Sequence, residues 1–341
     1  MVDKHRRLFL VFFGVCLALA TLEVAVRASS AHQRRMWSRD DRLTMCQTDP
    51  RRIWRYRPNF SQQYATSVFS MEVSTNSLGL RDSEQRNAPV LAIGDSFTFG
   101  WGVAASERFT SHLEKQLGLP VINAGHRMYT FDQQFLTLRE LVDTVLPSVV
   151  IQGFYAPHVA TIASHQWHKR RGELEAISDD SVSVDVDGAL RFSSTWISEP
   201  PLHLQSAAFV ARTILNKGLL EHVARDFHAL LSDEASLDDA WDMTAEAARE
   251  TAAFLHNRGI AYLPFVIPWR EPAAAVPDER LLRTIETATG VAPIDMETAF
   301  RTDPRLRLYF AIDPHWTERG HAVAAEALTP HVQAALHPRR G

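Results

Sequence analysis

The chain has 341 residues, 45% hydrophobic and 22% charged, an ordinary balance for a folded α/β protein with a sizeable core. A formal net charge of −4 gives no reason to expect a nucleic acid or another polyanion as partner. With only two cysteines, Cys16 and Cys46, there is no disulfide framework to organise the fold.

Residues 1–7 are basic, with Lys4, Arg6 and Arg7, and Leu8 to Leu22 then carries no charge. Continued to Val26, the apolar run is about 19 residues, roughly 28 Å as a helix and just enough to span a bilayer core. Ala18-Leu-Ala20 offers a competing signal-peptide cleavage site. Because Leu22, Val24, Ala25 and Val26 prolong the run, the expectation is an uncleaved anchor over 1–28. It makes a single pass of the cytoplasmic membrane, with the folded domain periplasmic or otherwise extracytoplasmic. Arginines 27, 34, 35 and 39 leave the flanking-charge bias ambiguous, but a large C-terminal domain translocates largely regardless of it. Residues 29–69 read as an Arg-rich juxtamembrane linker and a lead-in of short strands and turns.

Val90 to Ile93 is a short apolar run of the kind that forms a buried parallel strand. Helical and strand patterns then alternate. A helix is predicted around Ser106–Leu117, a strand from Pro120 to Gly125, a helix over Phe131–Val145 and a strand over Ser148–Phe154. After a break come a helix over Ala235–Asn257, a strand over Ile260–Ile267, a helix over Asp278–Thr289, a short strand near Val291–Asp295 and a closing helix over Glu318–Leu336. This pattern predicts a three-layer α/β/α domain with a parallel sheet and right-handed crossovers. Pro264 is unusual for a central strand. The break, about 160–232, reads as an insertion over the functional face. It contains a strand-like alternation at 181–186, a turn at Asp187-Gly188 and a helical pattern from Ser206 to Leu231.

Gly94-Asp95-Ser96 follows the first apolar run, so Ser96 falls just past the carboxyl end of a parallel strand, where open α/β sheets bind ligands. A serine alcohol needs a base to become a nucleophile. Asp313-Pro-His315 supplies a candidate base in His315 and a carboxylate, Asp313, that could orient it. The histidines at 158, 165 and 168 follow no metal-ligand spacing, and no phosphate-binding glycine loop is present. Neither a metal nor a cofactor is therefore expected.

Gly94-Asp95-Ser96, Asp313-Pro-His315-Trp316 with Gly320-His321, and Asn76-Ser-Leu-Gly-Leu-Arg81 together resemble the SGNH (GDSL-type) hydrolase superfamily, in particular its membrane-anchored bacterial branch. The resemblance covers 70–160 and 240–330 well and the segment between them poorly. It implies an SGNH/flavodoxin-like domain over 70–341. It also implies that Gly320 and His321 begin the last helix, with His321 and Trp316 packing. The same resemblance assigns oxyanion donors. One is the Ser96 N–H. A second falls at Met128, where the family has glycine. A third falls at Pro157, where the family has asparagine and proline donates nothing. His158, the next residue, is the candidate replacement. The expected function is hydrolysis or transfer of an ester acyl group, O-acetyl among them, through an acyl-serine. The expected substrate is an ester-bearing small molecule, or a glycan or lipid of the cell envelope. The alternative is a catalytically weak or inactive envelope binding or assembly protein on the same fold.

Overall fold

The computed structural model describes residues 42–43, 45–49, 51–65, 68–84, 87–159, 169–170, 173–174, 182–184, 190–192, 234–270, 276–311 and 313–337. The expected anchor at 1–28 and the expected helix at 206–231 lie outside these residues. Among the described residues, no helix is long and apolar enough to cross a membrane.

The chain divides into two units. The smaller comprises 1–43, 180–184 and 191–233. Strands Arg42–Leu43, Leu190–Phe192 and Val182–Val184 are joined in that order, and the last of these falls in the stretch 181–186 expected to alternate like a strand.

The larger unit carries the α/β pattern. Its parallel strands are β5 (Val90–Gly94), β6 (Val121–Gly125), β7 (Val149–Phe154), β8 (Ala261–Val266) and β9 (Ile294–Asp295). Four antiparallel strands, β1 (Cys46–Asp49), β2 (Ile53–Tyr56), β3 (Ser61–Ala65) and β4 (Ser70–Ser74), precede them in this unit. The five parallel strands lie side by side in the order β9-β8-β7-β5-β6. The chain reverses direction of travel between β5 and β7, and the crevice at that switch point is where such sheets place their sites. Side chains alternate between the two faces, as strand geometry requires. Val90, Ala92, Val149 and Ile151 pack with Phe109 and Leu113 of α2 (Phe109–Leu117) and with Val323 and Leu328 of α8 (Glu318–Leu336). Leu91, Ile93 and Val150 face Leu138, Leu141 and Val145 of α3 (Phe131–Val145) and Leu255 of α4 (Glu234–His256). Leu281 and Ile285 of α5 (Val276–Thr289) pack with Trp241 of α4 and Val266 of β8, and two one-turn helices, α6 (Glu297–Phe300) and α7 (Arg305–Leu308), lead into α8. Each amphipathic helix thus buries one stripe against the sheet, giving the expected three layers. Pro264 is tolerated because β9 pairs with β8 only at Phe265 and Val266, so that side of Pro264 has no ladder partner.

One boundary differs from expectation. The lead-in is part of the folded unit, which begins at residue 44 rather than at 70. Strands β1 (Cys46–Asp49) and β2 (Ile53–Tyr56) form one antiparallel pair, and β3 (Ser61–Ala65) and β4 (Ser70–Ser74) another. Trp54, Tyr56 and Tyr64 are buried. The Arg-rich composition hid this: Arg52 is itself buried, bonded to Asp49 at 2.9 Å and paired with Glu140 at 2.7 Å.

Candidate active site

Ser96 opens the one-turn helix α1 (Ser96–Phe99), a turn the sequence pattern does not announce. Local chemistry makes this strand–turn–helix. Gly94 ends the strand where a Cβ would meet the Thr98 side chain at 2.0 Å. Asp95 caps the helix, its Oδ1 accepting the Phe97 N–H at 2.9 Å. Gly100, at φ 77°, closes it in the left-handed conformation that favours glycine.

Asp313 and His315 lie in the loop before α8. The bridge between Tyr309 and Trp316 and the bond from Phe310 N–H to His315 O (3.1 Å) pin its two ends together. Trp316 and His321 are buried packing residues, and the Phe109 N–H donates to His321 Nδ1 at 3.2 Å. A Cβ on Gly320 would meet Leu308 O at 2.3 Å, which is why the first turn of α8 carries glycine there.

The fold brings these two distant segments together. His315 Nε2 lies 2.6 Å from Ser96 Oγ, and His315 Nδ1 lies 2.5 Å from Asp313 Oδ1. The same carboxylate oxygen accepts the His315 backbone N–H at 2.9 Å. Phe97 packs beside the imidazole, ring centroids 4.9 Å apart. Burial alone would raise the Asp313 carboxyl. The hydrogen bonds from His315 outweigh it, with the charges of His315 and Arg127, and hold the group below its ordinary value. Asp313 is therefore ionised at neutral pH. It fixes the tautomer with hydrogen on Nδ1, leaving Nε2 free to accept the serine proton.

The other predicted site residues are placed as follows. Met128 has φ 61° in a turn whose Tyr129 N–H donates to His126 O at 3.3 Å. Positive φ at the third turn position is normally a glycine preference. Methionine thus keeps the glycine-type backbone, at a cost of about 1–2 kcal/mol. Met128→Gly should accordingly raise stability by about 0.5–1 kcal/mol, the relieved strain partly offset by glycine's looser unfolded state. A higher urea midpoint with an unchanged slope would show it; a lower midpoint would mean the turn is not strained. Pro157 starts a helical turn at 157–159, a position that suits its fixed φ and missing N–H. His158 Nε2 lies 3.0 Å from Asp95 Oδ2, while its Nδ1 is buried. The ring is thus directed at the residue before the nucleophile.

Arg81 belongs to the stretch that resembles the family, but its role is not visible in sequence. Its buried guanidinium donates to four carbonyls: Phe99 (3.2 Å) and Gly100 (2.7 Å) at the end of α1, Val103 (2.8 Å) and Glu72 (2.8 Å). Asn76 turns the chain into it, its Oδ1 accepting the Leu78 and Leu80 N–H groups. Among the described residues, no group of three His, Cys, Asp or Glu side chains is placed to hold a metal.

No family model matches the chain, and no curated protein matches it. Solved structures do. Those it is similar to include proteins described as GDSL-type or SGNH hydrolases. They include a lipase/acylhydrolase from Enterococcus faecalis (13% identity, 75% of this chain and 100% of that one, TM-score 0.40). A GDSL-like lipase from Bacteroides thetaiotaomicron is 14% identical over 73% of this chain and 89% of its own, TM-score 0.39. A catalytic mutant of an acetylxylan esterase from Geobacillus stearothermophilus is 13% identical over 74% and 95%, TM-score 0.42. These likenesses are distant, and the chemistry of the site rests on its own geometry.

Proposed function

We propose that the protein is a serine ester hydrolase working through an acyl-Ser96 intermediate. The observation that carries this reading is the Ser96–His315–Asp313 chain of contacts at 2.6 and 2.5 Å, at the carboxyl end of a parallel sheet. His315 takes the Ser96 proton as Oγ attacks the ester carbonyl, then gives it to the leaving alcohol. Water, activated by the same base, releases the acid. Ser96 and Met128 backbone N–H groups are the proposed oxyanion donors. With proline at 157, where the family pattern has an asparagine side chain, that donor is missing. One such donor is worth about 10²–10³ in kcat, so turnover of simple esters is slow. Fluorophosphonate labelling of the purified protein followed by peptide mapping tests the assignment. Modification of Ser96 supports it, and an unreactive Ser96 favours the binding or assembly alternative.

The finer reading is an ester, O-acetyl among them, on a cell-envelope glycan or lipid, with the domain anchored outside the cytoplasmic membrane and water or a sugar hydroxyl as acceptor. It is supported by the resemblance to the membrane-anchored branch and by the uncharged run Leu8–Leu22. A reporter fused after Gly341 that is active only outside the cytoplasm should be active, and the protein should stay with membranes after a high-salt wash. Reporter activity confined to a cytosolic form would overturn the location, and release in soluble form would point to cleavage after Ala20.

A further inference from the structure

Asp95 sits directly before the nucleophile, fully buried. A buried carboxylate is costly unless both oxygens are engaged. Oδ1 is engaged by the Phe97 N–H, and the Asp95 carbonyl accepts the Phe99 N–H at 2.9 Å, so this residue anchors the single turn that carries Ser96. Oδ2 has no hydrogen-bond partner of good geometry, but the Nε2 of His158 faces it at 3.0 Å. The His158 ring is held edge-on to Phe131 (6.4 Å) and Tyr155 (5.8 Å), and Tyr155 in turn packs on Phe97 (4.8 Å). The helical turn opened by Pro157 brings His158 to this place at the end of β7, the strand beside β5. Pro157, which departs from the family pattern, and His158 beside it thus form one local arrangement aimed at Asp95.

We propose that His158 is a positioning residue for Ser96. It pairs with Asp95 and so holds the carboxylate that caps the nucleophile's turn. This role deepens the hydrolase reading and rests on it. His158 acts from beneath the nucleophile, through Asp95, without touching the reacting carbonyl. A small rotation of the ring or the carboxylate converts the 3.0 Å contact into a charge-assisted hydrogen bond, shorter and stronger than a neutral one. If the pair is broken, Asp95 Oδ2 is left buried and unpaired, the turn loosens and the Ser96 hydroxyl drifts from His315. A misplacement of about 1 Å can cost on the order of 10² in rate.

The test is a double-mutant cycle read by p-nitrophenyl acetate kinetics and by the rate of Ser96 labelling with fluorophosphonate. His158→Ala should lower kcat by up to about 10²-fold with KM nearly unchanged, and slow labelling in parallel. His158→Gln, whose amide can still donate to Asp95, should recover most of the loss. Asp95→Asn keeps the cap and removes the charge facing His158. In that background His158→Ala should cost little more, because the pair acts as a unit. An independent oxyanion donor behaves differently: His158→Ala would cost its full factor with or without Asp95→Asn. Additive costs of that kind, or a folded His158→Ala protein with wild-type kcat, overturn the proposal while Ser96 labelling leaves the hydrolase reading standing. Failure of wild-type Ser96 to label overturns both.

Discussion

Ser96→Ala and His315→Ala should each abolish nearly all turnover of p-nitrophenyl acetate, a fall on the order of 10⁴-fold or more. The reason is geometric. Oγ and Nε2 stand 2.6 Å apart, so the alcohol has one base and the base one substrate proton. Removing either leaves only binding and oxyanion stabilisation. The double variant should be little worse than either single one, since neither partner acts without the other. Asp313→Asn should cost less. The amide oxygen can still accept the His315 backbone N–H and Nδ1–H, but the negative charge that supports the imidazolium is gone. The urea midpoint should stay close to wild type in Ser96→Ala, which gives up only the hydroxyl contact to His315, and fall modestly in the variants of His315 and Asp313, which disturb the bonds that hold the loop before α8. Wild-type turnover in Ser96→Ala would remove the enzyme assignment from this site.

The second large effect is on stability. Arg81→Met should cost about 3–5 kcal/mol, a substantial part of the 5–15 kcal/mol that holds a typical domain together. Burial, with the charge of Arg108 beside it, pulls the guanidinium down to about 9, so it is still charged at neutral pH. It serves four carbonyls and lies 5.0 Å from the centre of the Phe99 ring. Methionine fills comparable volume but strands those carbonyls, and hydrogen bonds to a charged donor are worth about 1.5–3 kcal/mol each before relaxation. Arg81→Lys should recover less than half, since an ammonium on one stem cannot reproduce the planar fork that spans separate carbonyls. The measurement is the urea midpoint at constant slope. A loss under about 1 kcal/mol would show that water replaces the guanidinium at no great cost. Because two of the carbonyls end α1, the same variant should also slow Ser96 labelling.

How much of this was legible beforehand can be traced residue by residue. The strands from Val90, Val121 and Val149 and the helices from Phe131 and Glu318 follow from apolar periodicity, and each formed within a few residues of the expected bounds. Ser96, Asp313 and His315 were legible as chemistry because residue types and local turns mark them. That Ser96 and His315, 219 residues apart, would meet was an inference from resemblance, and the geometry supplied the meeting. The paired strands at 46–65 were not legible: Arg52, Arg55 and Arg57 look like solvated surface, and only partners such as Asp49, Glu140 and the Cys46 carbonyl reveal their placement.

Local forces determined what the sequence alone could determine: where strands and helices run, where glycine and aspartate turn the chain at Ser96, and which side chains hold nucleophile, base and orienting acid. Short-range propensity and periodicity act within a turn or two of the chain and need no distant partner. Tertiary structure alone decided that Met128 takes a glycine-like backbone, that Arg81 is buried beneath the nucleophile's turn, and that His158 faces Asp95. Each of those depends on a group brought near by the packing of the sheet, and burial there turns an ordinary polar side chain into one that must find its partner or forfeit several kcal/mol.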